Sequence, residues 1–186
     1  GDDTATANIT IDTIPVLDLI VLPDDGCTPL TVSNNATELN NQNVNWQWFI
    51  DGIFTYTTPN TIPDQVFTAP PGNAPQNHTV YLNIFNHCGA DDSTVNVLVH
   101  PTTVAQFNFN DSICEGGTIN FTDASFGENL TWDWDFGEGT TSTLQGPHAI
   151  VYNTAGTYTV ELIVDGYCGS DTMTTNITVL PIPVAD

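Results

Sequence analysis

Residues 1–18, GDDTATANITIDTIPVLD, return as residues 169–186, GSDTMTTNITVLPIPVAD, displaced by 168 residues without a gap and identical at 11 of 18 positions. Self-similarity at a fixed period is the mark of an array of structural units, and 186 residues hold one full period plus the overlap. A fainter repeat halves the period. Cys27 and Cys114 each follow an acidic turn, Asp24-Asp25-Gly26 and Asp111-Ser112-Ile113. Trp46-Gln47-Trp48 and Trp132-Asp133-Trp134 follow those cysteines by 19 and 18 residues, and Cys88-Gly89 and Cys168-Gly169 close each half. Two domains are expected, at 12–99 and 100–180. Residues 1–11 read as the terminal strand of a preceding or neighbouring domain, and residues 181–186 as the start of the next repeat. The opening Gly-Asp-Asp, with no leader in front of it, is what an excerpt of a longer chain would show.

The local pattern is all-β. Thr79-Val80-Tyr81-Leu82-Asn83-Ile84-Phe85 and Thr157-Tyr158-Thr159-Val160-Glu161-Leu162-Ile163-Val164 alternate or run apolar with β-branched and aromatic residues, as do Ser93–Val99 and Thr172–Leu180. Pro70-Pro71-Gly72-Asn73, Gly137-Glu138-Gly139 and Ala155-Gly156 supply turn chemistry between them. No stretch carries a helical period. Short strands at this spacing predict β-sandwiches of about seven strands each.

Charge narrows the partners. The chain has no Lys or Arg against 22 Asp and Glu, a formal charge of -22, where ordinary usage would supply about 20 basic residues. Hydrophobic residues make up 40%, enough for packed cores, so disorder is not expected. Nothing in the chain can neutralise phosphate, which excludes nucleic acid and anionic membrane surfaces. No apolar run of about 20 residues is present to span a bilayer. Each carboxylate must be hydrated, bonded to backbone N–H or a hydroxyl, or matched by an external cation.

The second half resembles the PKD domain, an Ig-like sandwich of surface and secreted proteins. The resemblance is carried by Phe121-Thr122-Asp123-Ala124-Ser125, by Trp132-Asp133-Trp134-Asp135-Phe136-Gly137-Glu138-Gly139, and by Tyr152-Asn153-Thr154-Ala155-Gly156-Thr157-Tyr158-Thr159-Val160. Glu138 stands where the family usually has Asp. The first half is similar in outline, but Trp46-Gln47-Trp48-Phe49-Ile50-Asp51-Gly52 lacks the Asp-Phe-Gly step, which implies a diverged PKD or generic Ig-like domain. Cysteine-bearing tandem domains of this style look like those of giant surface proteins of Bacteroidota-type bacteria. In such domains the tryptophan strand is structural. Period two puts Trp132, Trp134 and Phe136 on one face and Asp133 and Asp135 on the other.

Four cysteines allow three connectivities. Equivalent positions in the two halves favour Cys27–Cys88 and Cys114–Cys168, bonds that would place the protein outside the reducing cytosol. Those bridges would draw Asp24 and Asp25 towards Asp91 and Asp92, and Asp111 and Glu115 towards Asp165 and Asp171. Oxygen-rich loop sites of this kind favour Ca²⁺, and the PKD resemblance implies calcium at domain ends as well. Asp followed by Ser or Thr and then an apolar residue or Thr recurs at Thr4, Thr13, Ser93, Ser112 and Thr172, which resembles the O-glycosylation acceptor motif of Bacteroidota.

No catalytic residue is expected. The chain has no G-x-S-x-G elbow, and His78, His87, His100 and His148 are scattered without a metal-ligand spacing. The expected function is a structural or adhesive repeat of a long extracellular surface protein or filament, calcium-stabilised and glycan-coated, whose partners are neighbouring copies of itself. A continuous giant chain is favoured over a polymer in which residues 1–11 complete a neighbour's sandwich by strand addition. The alternative is an accessory carbohydrate- or protein-binding module of a secreted hydrolase.

Overall fold

The computed structural model describes residues 11–40, 42–57, 60–72, 74–110 and 112–183, which form sixteen strands and no α-helix. The chain divides into two compact units, Gly1–Phe67 with Asn77–Val99, and Thr68–Gln76 with His100–Asp186. Residues 1–10 and 184–186, which were assigned to adjoining repeats, lie outside the described residues.

The first unit holds β1 (Leu17–Leu22), β2 (Asp25–Cys27), β3 (Leu30–Glu38), β4 (Asn45–Ile50), β5 (Ile53–Tyr56), β6 (Thr61–Phe67), β7 (Gln76–Asn86) and β8 (Gly89–His100). They make a three-stranded sheet, β1-β3-β6, and a five-stranded sheet, β2-β8-β7-β4-β5. The second unit holds β9 (Phe107–Phe109), β10 (Ile113–Cys114), β11 (Gly117–Asp123), β12 (Thr131–Asp135), β13 (Thr141–Ser142), β14 (His148–Tyr152), β15 (Gly156–Gly166) and β16 (Gly169–Leu180). Its sheets run β14-β11-β9 and β10-β16-β15-β12-β13. The two orders are the same once eight is added to each strand number of the first unit. Both units therefore share one Ig-like plan.

The sequence builds these strands by alternation. Along β3, Leu30, Val32, Asn34 and Ala36 are buried while Thr31, Ser33, Asn35 and Thr37 face water, the period-two pattern of a half-covered sheet. In the second unit the inward set is Phe107, Ile119, Phe121, Trp134, Phe136, Tyr152, Val160, Leu162, Val164, Ile177 and Val179. Trp134 stacks on Phe136 at 5.5 Å with an 11° interplanar angle, and Phe107 and Phe121 pack tilted against this pair. Trp134 and Phe136 are fully buried, Trp132 is half-buried, and Asp133 and Asp135 are exposed, so this strand feeds the core. In the first unit Trp48 is also fully buried. It pairs with Leu82 as Trp134 pairs with Leu162.

The turn after β12 shows what the Asp-Phe-Gly step does. Asp135 Oδ1 accepts the Gly137 N–H at 2.8 Å, and Phe136 N donates to Thr140 O at 3.1 Å, closing the reversal into β13. The Phe136 carbonyl accepts the hydroxyl of buried Tyr152 at 2.8 Å. Burial, and then the negative charge of Glu138, push that phenol well above the usual tyrosine range. Gly137 has φ +79°, and a Cβ there would collide with the backbone of Thr159, whereas Gly139, at φ +99°, faces open space. Both positions favour glycine conformationally, but only Gly137 is also sterically closed.

Gly137→Ala is accordingly expected to destabilise the chain by about 3 kcal/mol, against about 1 kcal/mol for Gly139→Ala. Paired urea melts followed by tryptophan fluorescence check this; equal losses would show that backbone conformation alone, not close approach to Thr159, selects the glycine.

Candidate functional site

The residues with chemistry to offer gather at the two ends of each sandwich, and the last strand sets how far apart those ends are. In the second unit β10 runs parallel to β16, with Cys114 beside Leu180. Cys168 sits in the β15–β16 turn, next to the Gly166–Gly169 pair that closes the hairpin. From Gly169 to Leu180 the strand covers about 36 Å at roughly 3.3 Å per residue. A disulfide needs Cα atoms within about 7 Å. The first unit repeats the arrangement: Leu98 N donates to Asp24 O at 2.8 Å, which fixes β2 beside the far end of β8. Cys88 lies in the turn before β8, its thiol donating to Asp12 O at 3.4 Å. Even with β2 directed back along the sheet, Cys27 stays about 20 Å or more from Cys88.

The expected pairs Cys27–Cys88 and Cys114–Cys168 therefore do not form. Cys27 and Cys168 are disulfide-bonded, while Cys88 and Cys114 are free thiols, both exposed. The repeat identifies which cysteines are equivalent, but within a unit each pair is split between opposite poles.

The carboxylate groupings built on those bridges fall with them. Asp24 and Asp25 lie at the β2 end of the first unit, whereas Asp91 and Asp92 lie near the start of β8. In the second unit Glu115 lies by Leu180, and its carboxylate accepts the Ile182 N–H at 3.4 Å. Asp165 and Asp171 stay at the opposite end, cross-strand from Ser170 and Val164. Asp111 lies outside the described residues. Among the described residues no three His, Cys, Asp or Glu side chains converge as a metal site.

Two of these carboxylates have a task that the sequence reading missed. Asp91 Oδ2 accepts the Leu17 N–H at 2.8 Å, tying the start of β1 to β8. Asp171 Oδ2 accepts the Ala105 N–H at 2.9 Å, tying the approach to β9 to β16. Each is the third residue of its strand, after Cys88-Gly89-Ala90 and Cys168-Gly169-Ser170. The shared Cys-Gly-x-Asp spacing was the available signal. A charge-assisted bond to a backbone donor is worth more than a neutral one, and it satisfies a carboxylate without any Lys or Arg.

The proposed sugar acceptors are distributed along the chain. Thr13, Ser112 and Thr172 are exposed and Ser93 is half-buried; Thr4 lies outside the described residues. His78 bonds to Asp51 at 2.8 Å and His100 to Glu128 at 2.5 Å. A shallow cleft of about 470 Å³ in the first unit is lined by Gln42, Asn43, Asn45, Gln47, Trp46 and Phe85, among others. No charged side chain lines it.

Fold and site define a class: an Ig-like β-sandwich protein. Residues 98–180 match the PKD domain family, and the second unit is a PKD domain. The chain is 30% identical to the PKD1 domain of Vibrio anguillarum Epp, over 45% of this chain and 99% of that one, with a TM-score of 0.38. It is also 30% identical to a structure titled for promiscuous carbohydrate-binding modules of the β-sandwich superfamily, over 43% of this chain and 35% of that one, with a TM-score of 0.39. The eight N-terminal Ig domains of Down Syndrome Cell Adhesion Molecule align over 91% of this chain and 25% of that one, at 14% identity and a TM-score of 0.51. No curated protein sequence matches the chain.

The cysteine assignment has a direct consequence. Denatured without reductant, the chain is expected to take up two equivalents of iodoacetamide, at Cys88 and Cys114; after reduction it should take up four. Intact-mass spectrometry reads the count, and uptake of none before reduction would overturn the assignment of Cys88 and Cys114 as free thiols.

Proposed function

We propose that the chain is a non-catalytic structural repeat of a long extracellular protein or filament, serving as spacer and adhesive shaft. The observation that carries this is the 168-residue self-match of the two chain ends, joined to two units of one strand order. A module that recurs end to end contributes length. That Cys27 and Cys168 are each disulfide-bonded fits an oxidising exterior, and the absence of Lys and Arg leaves no site for trypsin-like proteases, which suits long-lived external material.

Calcium and glycans belong to this reading as properties of the surface. With 22 carboxylates and no basic side chain to match them, the folded chain repels itself, and mobile cations relieve that repulsion. Calcium is proposed to act at the acidic domain ends, one or two carboxylates at a time. Thr4, Thr13, Ser93, Ser112 and Thr172 are the proposed sugar acceptors. The rival role, an accessory binding module of a secreted hydrolase, would place a catalytic domain beside this chain in the parent polypeptide.

The native protein decides between these. On a reducing, denaturing gel it is expected to run many-fold above 20.1 kDa, with peptides spanning the Asp-Ser/Thr sites carrying added hexose mass. A ladder that collapses to about 20 kDa would replace the continuous array with a strand-exchanged polymer, and a single catalytic neighbour would replace the array altogether. Separately, the melting temperature is expected to rise by several degrees on going from 10 to 300 mM NaCl, and to rise further with CaCl₂ at equal ionic strength. Identical curves in the two salts would remove the specific role of calcium.

A further inference from the structure

Cys88 and Cys114 are a complementary pair of unfinished ends. Cys88 occupies the turn between the last two strands of the first unit, and Cys114 the short strand flanking the far end of the last strand of the second. Both thiols are exposed, and neither can reach the other cysteine of its own unit, for the distances given above. The same two strand positions are oxidised where they recur in this chain: Cys168 is the hairpin-turn equivalent of Cys88, and Cys27 the flanking-strand equivalent of Cys114. A hairpin-turn cysteine and a flanking-strand cysteine are thus each competent for disulfide formation in this fold. One of each kind is left over.

We propose that Cys114 of one copy and Cys88 of the next copy form a disulfide, so that successive copies are clasped covalently as well as joined by the backbone. The partner is a second copy of this chain, met in the order that the 168-residue period dictates; the proposal rests on the array reading above. Chemically, the Cys114 and Cys88 thiols each lose a proton and one electron as the S–S bond forms. The electron pair and protons pass to a small-molecule or oxidoreductase disulfide, which leaves as two thiols. Pairing in the same register along the array leaves no free thiol except at its two ends. Exposure of both sulfurs lets the exchange take place after each sandwich has folded.

A two-copy chain tests this, made as residues 1–186 followed by a second copy of residues 19–186, so that the period is kept. Expressed into an oxidising compartment, purified as a monomer by size exclusion, then denatured and alkylated without reductant, it is expected to expose two thiols, Cys88 of the first copy and Cys114 of the second. Chymotryptic peptides should show the first copy's Cys114 linked to the second copy's Cys88. Four free thiols in a folded two-copy chain, or a link from the first copy's Cys114 or the second copy's Cys88 to any other cysteine, would overturn the proposal. Replacing the first copy's Cys114 (Cys114→Ser) is expected to raise the count to three with unchanged tryptophan emission; an unchanged count of two would equally overturn it. Failure here leaves the array standing, because that reading is decided by the mass and flanking sequence of the native protein.

Discussion

The antiparallel pairing of the last two strands sets the length of a unit, and most of the chemistry follows from it. In the second unit β15 and β16 stay in register from Gly156↔Val179 to Gly166↔Gly169, so one uninterrupted ladder runs from pole to pole. The inward residues of that ladder, Val160, Leu162, Val164, Ile177 and Val179, form one wall of the core. The aromatic stack of Trp134 and Phe136 is seated against it through β12. Whatever lies in the hairpin turn is held about 36 Å from whatever flanks Leu180. Cys168 and Cys114 lie at those two stations, and no side-chain adjustment can bring them together.

Charge sets the second constraint. A folded chain without Lys or Arg must satisfy its carboxylates by other means, and the backbone N–H is the donor always at hand. Glu38 accepts from the backbone of Asn40 and Gln42, Asp51 from Thr79, Asp123 from Ser125 and Asp135 from Gly137. Asp91 and Asp171 do so across the sandwich and thereby join first strand to last. These acids are therefore part of the scaffold. Side chains take up some of the remaining oxygens: His78 bonds to Asp51 Oδ2 at 2.8 Å, and Gln145 Nε2 donates to Asp123 Oδ2 at 2.9 Å.

Much of the fold was legible in the sequence because alternation and turn chemistry are local. Thr157–Val164 and Thr172–Leu180 read as strands and are strands, and the period-two placement of Trp132, Trp134 and Phe136 gave the core face of β12 directly. The cysteine pairing was not legible, for a physical reason. A repeat reports equivalence between positions, whereas a disulfide depends on distance, and distance depends on how far the last strand carries the chain between its first and final residues. Reading β16 as a full-length strand and placing Cys114 beside its end would have excluded Cys114–Cys168. That step needed the parallel pairing of β10 with β16, which two residues, Ile113 and Cys114, do not announce. The acid clusters failed with the bridges that were to assemble them, while the Cys-Gly-x-Asp clamp was visible as a spacing but had no assigned partner.

The placement of the cysteines also bears on what holds each sandwich together. A disulfide inside a sandwich would lengthen the life of that sandwich but would add nothing to its link with another domain. In this fold the in-domain option is closed by strand length. A cysteine at each pole leaves the core to be held by apolar burial alone, and Trp48, Trp134, Phe136 and Tyr152 are buried completely without any covalent aid. Sulfur chemistry is thereby reserved for the ends.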